Sequence, residues 1–349
     1  MTMATLPIAI TQGDPAGIGP EIIAKAFRDA PDVTRGCFVA GDVATLRRAA
    51  KFITGPGQVG LPVAEIRTAS EALEVPPRCI PVLPVLQAPE LVQVGVISAS
   101  AGRMAADCVT WAARAALRGD IAALVTAPLH KEALAAAGVD FPGHTELLQA
   151  EAAAHLGRPV QEVPVRMMLA NDELKTVLVS IHLSLREAIA AVTTDNVLQT
   201  LRLTHEFLLR TSTPGQTRRR IGVAGLNPHA GEGGLFGREE LDIILPAMAQ
   251  ARREGIDVQG PFAPDTVFMR ARARDAQPGE FDVVVAMYHD QGLIPVKYLG
   301  VEKGVNVTIG LPLVRTSPDH GTAFDIAGTG QADASSLIEA IRMARQLAL

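Results

Sequence analysis

Eight short apolar runs rich in Val, Ile, Leu and Ala recur along the chain, at 7–11, 37–41, 121–126, 165–170, 175–181, 220–226, 281–287 and 305–310. They scarcely alternate between apolar and polar residues. A strand with one wet face alternates; one covered on both faces does not. Between the runs lie Ala-, Leu- and Arg-rich stretches of helical length, at 98–118, 145–156, 184–209, 238–254 and 333–348. Ser98 or Ser100 suits the start of the first and Gly119 its end. The pattern predicts an α/β fold with mostly parallel sheets. Aromatic residues make up only 4 % of a chain that is 48 % hydrophobic, so aliphatic side chains must fill the core. Its 349 residues suit two lobes rather than one. Prolines at 75–93 point to an irregular excursion, and 210–220 reads as a solvated connector.

A net charge of −5 gives no basic footprint for nucleic acid or an anionic membrane. Cys37, Cys79 and Cys108 are odd in number and dispersed, which argues against disulfides and for a reducing compartment. The N-terminal residues lack the basic and long apolar parts of a signal peptide, and no apolar run reaches the ~18 residues of a spanning helix. A cytoplasmic location is expected.

Ligands of open parallel sheets collect where strands end. Five polar loops follow predicted strands here: 11–21, 126–131, 181–187, 227–234 and 288–292. Three of them carry His182, His229 and His289. Imidazole is a common ligand for divalent metals. The histidines lie 47 and 60 residues apart, with no local HxxxH pattern, so each alone reads better as a capped-loop or hydrogen-bonding residue. Their repeated place after strands is what makes them a candidate metal set.

The loop 13–21 (GDPAGIGPE) is glycine-rich, as any strand-to-helix turn can be. The loop ending in DHGTAFDIAGTG is rich in backbone and poor in bulk. It could wrap a dinucleotide through His320, Gly321, Thr322, Asp325, Gly328 and Gly330, with an acid on the ribose, or simply lead into the last helix. Lys297, Asn306 and Arg315 offer two cations and an amide for a phosphate or carboxylate. His144 and Thr145 open a helix whose first-turn donors suit an anion, though they could equally cap it. Asp265 and Asp290 are candidates for supporting the metal ligands or moving a proton. His155 and His205 read as structural.

Read together, GDPAGIGPE (13–21), FPGHTE (141–146), GLNPHAGEGG (225–234), AMYHDQG (286–292), GVNVTIGLPLVRTSPDHGTA (304–323) and DIAGTGQAD (325–333) resemble the 4-hydroxythreonine-4-phosphate dehydrogenase family over nearly the whole chain. Two of the strings are also similar to loops of isocitrate and isopropylmalate dehydrogenases. The resemblance implies two α/β/α lobes with the active site in the interlobe cleft. Residues 1–125 with 300–349 would form the nucleotide-binding lobe, and 126–299 a central lobe with metal ligands and dimer contacts. It implies one divalent ion (Zn, Mg, Mn or Co) on His182, His229 and His289, with His289 supplied by the partner of a homodimer. His144, Thr145, Lys297, Asn306 and Arg315 would bind a phosphorylated hydroxy acid, with Asp265, Asp290 and Lys297 handling protons. The loop 320–330 would face NAD or NADP. The implied reaction oxidises 4-phosphohydroxy-L-threonine and decarboxylates the β-keto acid, a step of pyridoxine biosynthesis. Paralogues acting on D-threonate or D-erythronate 4-phosphate or on cis-dihydrodiol carboxylates remain alternatives, and LFGREE (235–240) and TAFDIAG (322–328) resemble them. A non-catalytic ligand sensor is a further alternative.

Overall fold

The protein was analysed as a computed structural model that describes residues 6–87, 89–211, 219–274, 277–300 and 303–348. The chain forms two compact units, Met1–Val163 with Leu311–Leu349, and Pro164–Gly310. These borders lie beyond the expected 125/126 and 299/300. The reason is packing: helix His144–Leu156 lies on helix Ala99–Arg118 of the first unit, while Val305–Ile309 pairs with Arg166–Ala170 of the second. Most of the 210–220 connector falls outside the described residues.

The first unit holds β1 (Ile8–Thr11), β2 (Cys37–Gly41), β3 (Val63–Glu65), β4 (Ile80–Pro84), β5 (Ala123–Thr126) and the late strand β12 (Arg315–Pro318). Their order is β3-β4-β2-β1-β5-β12 and every pairing is parallel. β1, β2 and β5 are buried at every residue, which explains their unbroken apolar sequence. A parallel sheet sends all strand ends to one edge, so the loops after Thr11, Gly41, Thr126 and Pro318 leave from the same side. β4 corrects the reading of 75–93 as irregular throughout. Pro81 forfeits one donor, but Ile80, Val82 and Leu83 are buried, Ile80 N donates to Pro62 O, and Val82 O accepts from Ile66 N. Burial of three aliphatic chains, each stabilising by roughly 1.5–3 kcal/mol, outweighs one absent hydrogen bond of about 1 kcal/mol.

The second unit holds β6 (Arg166–Ala170), β7 (Lys175–Leu178), β8 (Ile221–Ala224), β9 (Val258–Phe262), β10 (Val283–Ala286) and β11 (Val305–Ile309). The order is β11-β6-β7-β10-β8-β9. β7, β10, β8 and β9 are parallel, whereas β6 runs against both of its neighbours. Leu169, Leu178, Val284, Ala286, Leu293 and Val296 share its core.

Helix Ala99–Arg118 begins at Ser98, whose hydroxyl accepts from Ala101 N, and stops at Gly119 in the left-handed conformation. The expected helix 184–209 is two. Leu185–Ala191 starts with a Ser184–Glu187 capping box, and Thr194–Thr211 follows. Thr193 Oγ1 accepts from Asn196 N, and the Asn196 amide donates to Ala191 O. Both bonds satisfy groups freed by the break. No described helix is long and apolar enough to cross a membrane.

Candidate active site

In the second unit β7, β10 and β8 lie side by side, and a candidate histidine follows each at the same edge. His182 and His229 take positive φ values of 43° and 52°, a conformation a non-glycine residue adopts only when its surroundings enforce it. The rings of His182 and His289 lie 5.8 Å apart between centroids. Within the chain His289 lies beside His182. Its Nδ1 pairs with Asp290 Oδ1 at 2.7 Å, and His229 Nδ1 with Glu232 Oε2 at 3.1 Å. A carboxylate on Nδ1 sets the tautomer and leaves the Nε2 lone pair outward, the usual support of a metal-bound imidazole. The donor chemistry of the three rings fits a divalent ion. His229 turns its ring edge to Phe236. Among the described residues no three His, Cys, Asp or Glu side chains are gathered closely enough to hold one.

The other candidates of this unit are spread out. Asp290 acts on His289, as stated. Asp265 is exposed in the turn between β9 and helix Val267–Ala271, and no hydrogen bond joins it to the three histidines. Lys297 lies half-buried in the last turn of helix His289–Tyr298. Asn306 is half-buried in β11, opposite Leu169 of β6.

The first unit carries a buried cationic cluster. Arg315 is 3 % exposed, and its Nε and Nη2 donate to Thr126 Oγ1 at 3.1 and 2.8 Å. Burial pulls its pKa down to about 10 against the opposing pull of Glu146, so it stays charged at neutral pH. His144 begins helix His144–Leu156. Burial first, and the Arg315 charge second, push its pKa well below the ordinary 6.5, while a hydrogen bond to the Ala127 backbone opposes them. The ring is neutral at pH 7. Its Nε2 is buried without a hydrogen-bond partner. A guanidinium, a neutral imidazole and the first-turn N–H groups beside half-buried Thr145 are together the kind of groups that a phosphate or carboxylate could use.

The loop 320–330 is held from beneath. Thr322 is buried, and its carbonyl accepts from Ile18 N at 2.9 Å. Gly328 and Gly330 have φ near +78°, and a Cβ on Gly330 would fall 2.7 Å from Phe52 O. Packing demands that glycine, whatever ligand the loop takes. His320 Nδ1 lies 3.1 Å from Gly321 O, and its Nε2 is buried without a hydrogen-bond partner. Gly321 and Asp325 are exposed. Several contributors escaped the sequence reading. Glu21, 1 % exposed, accepts from Gly328 N and Ala332 N, and Lys25 Nζ donates to Gly330 O and Ala332 O. Phe324 stacks on His130 at 5.0 Å. Glu21 was visible only as an acid in a helix's first turn, and Glu232 as an acid three residues after His229.

The fold and these clusters define an α/β protein with an imidazole-rich strand edge in one unit and a buried anion cradle in the other. A family model described as pyridoxal phosphate biosynthetic protein PdxA matches residues 34–344, and the chain belongs to that family. It is 52 % identical over 347 residues to the 4-hydroxythreonine-4-phosphate dehydrogenase of Beijerinckia indica, covering 99 % of this chain and 96 % of that one. It is 47 % identical over 356 residues to the D-threonate 4-phosphate dehydrogenase of Salmonella typhimurium, covering 99 % and 100 %. The crystal structure of the 4-hydroxythreonine-4-phosphate dehydrogenase of Klebsiella pneumoniae superposes with a TM-score of 0.85 at 41 % identity, covering 99 % and 100 %.

Proposed function

We propose that this protein is a dehydrogenase that oxidises the secondary alcohol of a phosphorylated hydroxy acid, with 4-phosphohydroxy-L-threonine as substrate. The observation that carries the reading is the buried Arg315–His144 cluster, in a chain half identical to a named acid-phosphate dehydrogenase. Arg315, His144, Thr145 and the first turn of helix His144–Leu156 would hold the phosphate, and Lys297 and Asn306 the rest of the substrate. Arg315 supplies fixed charge. His144, being neutral, can donate one hydrogen bond without adding a second buried cation.

His182, His229 and His289 would hold one divalent ion, and three imidazoles favour zinc or cobalt over magnesium. Bound there, the ion lowers the pKa of the substrate hydroxyl and stabilises the charge left by decarboxylation. Asp290 and Glu232 would keep the imidazole tautomers, and Lys297 would contact the substrate hydroxyl as a hydrogen-bond donor. The loop 320–330 would face NAD or NADP, with Asp325 on a ribose. Bound there, NAD or NADP would supply a hydride acceptor for the alcohol carbon, and the resulting β-keto acid would be free to lose CO₂. The first unit would thus serve phosphate and cofactor, the second the metal. A homodimer in the cytoplasm completes the reading.

D-threonate 4-phosphate is the second reading, favoured by the Salmonella relative. The test is NADH or NADPH formation with 4-phosphohydroxy-L-threonine, D-threonate and D-erythronate 4-phosphates and a cis-dihydrodiol dicarboxylate. Mg²⁺, Mn²⁺, Co²⁺ and Zn²⁺ are each supplied in turn. The highest kcat/KM is expected with the first compound. A higher value with another reassigns the substrate, and turnover of none, with tight binding of one, makes the protein a sensor.

A further inference from the structure

The histidine loops leave the far ends of β7, β10 and β8, and the near ends of the same parallel strands frame a separate cavity. Lys175 opens β7, Asp282 directly precedes β10 and Arg220 directly precedes β8. The cavity measures about 170 Å³. One water needs about 10–15 Å³ of such space, so there is room for a small organic molecule. All its described lining belongs to the second unit, at the sheet edge opposite to the histidines.

Backbone contacts fix its frame. Asn171 Oδ1 accepts from Glu173 N and Leu174 N at 2.9 and 2.8 Å, which sets the β6–β7 turn. Arg272 Nε donates to Glu173 Oε2 at 2.6 Å, and Ala273 N to Glu173 O at 2.8 Å. Arg220 N donates to Asp282 Oδ2 at 2.7 Å, and Arg220 Nη2 to Gly279 O at 2.9 Å. A Cβ on Gly279 would fall 2.0 Å from Ala271 O, so the segment leading into β10 lies directly on the end of helix Val267–Ala271.

Two charges of the lining are left over. Glu173 and Asp282 are matched by Arg272 and Arg220. Neither the half-buried Lys175 amine nor the exposed Asp172 carboxylate has a hydrogen bond or ion pair among the described residues. Burial lowers the pKa of the Lys175 amine, while the charges of Asp282 and Asp172 raise it, so the amine is poorly solvated and lies near both acids. Leu208, Ala271 and Phe281, all buried, supply an apolar wall. One amine, one carboxylate and an apolar wall complement a molecule that carries the opposite pair of charges on a small apolar body.

We propose that this cavity binds a small α-amino acid with an aliphatic side chain, its carboxylate on Lys175, its ammonium on Asp172 and its side chain against Leu208 and Phe281. A simple carboxylate would leave Asp172 unmatched, and a simple amine would leave Lys175 unmatched. The site is independent of the metal and cofactor readings above.

The test is titration calorimetry of the full-length protein with L-leucine and with the same skeleton stripped of its amine (4-methylpentanoate) or of its carboxylate (3-methylbutylamine). L-Leucine is expected to bind saturably, and each stripped compound at least about tenfold more weakly, as for one charge-assisted bond lost. Lys175→Met should bind L-leucine about tenfold more weakly and lose the preference for it over 3-methylbutylamine. Asp172→Asn should show the same loss and no longer prefer it to 4-methylpentanoate, with an unchanged unfolding midpoint. Absence of saturable L-leucine binding at millimolar concentrations overturns the proposal. Equal affinities for the three compounds, or wild-type affinity in either variant, overturn it too. If Lys175→Met fails to fold, Asp172→Asn decides.

Discussion

The histidine edge of the second unit and the anion cradle of the first solve opposite electrostatic problems. At the histidine edge the rings stay accessible and carboxylates stand beside them, Asp290 on His289 and Glu232 on His229. Negative charge there raises the affinity of neutral imidazoles for a cation. In the cradle a guanidinium is buried beside an imidazole driven neutral. Burying Arg315 costs solvation, part of which the Thr126 hydroxyl replaces. On the proposed reading one region would receive positive charge and the other negative charge.

Substitutions can break that contrast. His182→Ala should lower metal-dependent turnover by roughly 10³-fold, the several kcal/mol a Lewis acid contributes, while inorganic phosphate should bind as it does to the wild type. Steady-state kinetics with ligand-binding calorimetry checks both halves. Arg315→Met should reduce kcat/KM for the phosphorylated substrate about 10²-fold, from loss of charge-assisted bonds of ~1.5–3 kcal/mol each. A non-phosphorylated analogue should suffer far less. Asp290→Asn should weaken divalent-metal affinity about tenfold, since the amide no longer fixes the His289 tautomer by charge; competition with a chelating dye measures it. Smaller still, Gly330→Ala should destabilise the folded state by about 1–3 kcal/mol, from a left-handed φ and a Cβ against Phe52 O, read by urea unfolding.

The cradle also predicts a pH dependence. The pKa of His144 is depressed by folding, so below about pH 6.5 the unfolded state binds a proton that the folded state refuses. Stability contributed by the neutral ring is present above that pH and declines as pH falls through it. His144→Gln should flatten this part of the unfolding profile between pH 7.5 and 5. An unchanged slope would place the acid sensitivity elsewhere.

Much of the architecture was legible because it rests on period and punctuation. Unbroken apolar runs marked β1, β2, β5, β6, β7, β8, β10 and β11, and Ser98 or Ser100 with Gly119 bracketed a helix. What failed were strands whose sequence argues against themselves, such as β4 with Pro81, and edge strands as short as Val63–Glu65. The helix break at 192–193 was hidden because its signal, Thr193 capping Asn196, lies within an apolar-periodic stretch. At the site, residues that carry ligand-type chemistry could be picked from the sequence. Glu21 could not, because it is an ordinary polar residue until the fold shows that it satisfies Gly328 N and Ala332 N. Asp290 could be named from the sequence as a candidate support for the metal ligands or for moving a proton; its bond to His289 Nδ1 is a matter of side-chain geometry.

The central claim is that the histidine edge holds a divalent ion required for oxidising an acid phosphate. It is tested most directly by NADH formation from 4-phosphohydroxy-L-threonine after exhaustive chelation and then on adding back Co²⁺, in wild type and His229→Ala. The account predicts that chelation abolishes turnover, that Co²⁺ restores it in the wild type, and that the variant stays inactive though folded. Full activity in the chelated wild type, or in His229→Ala, would contradict it.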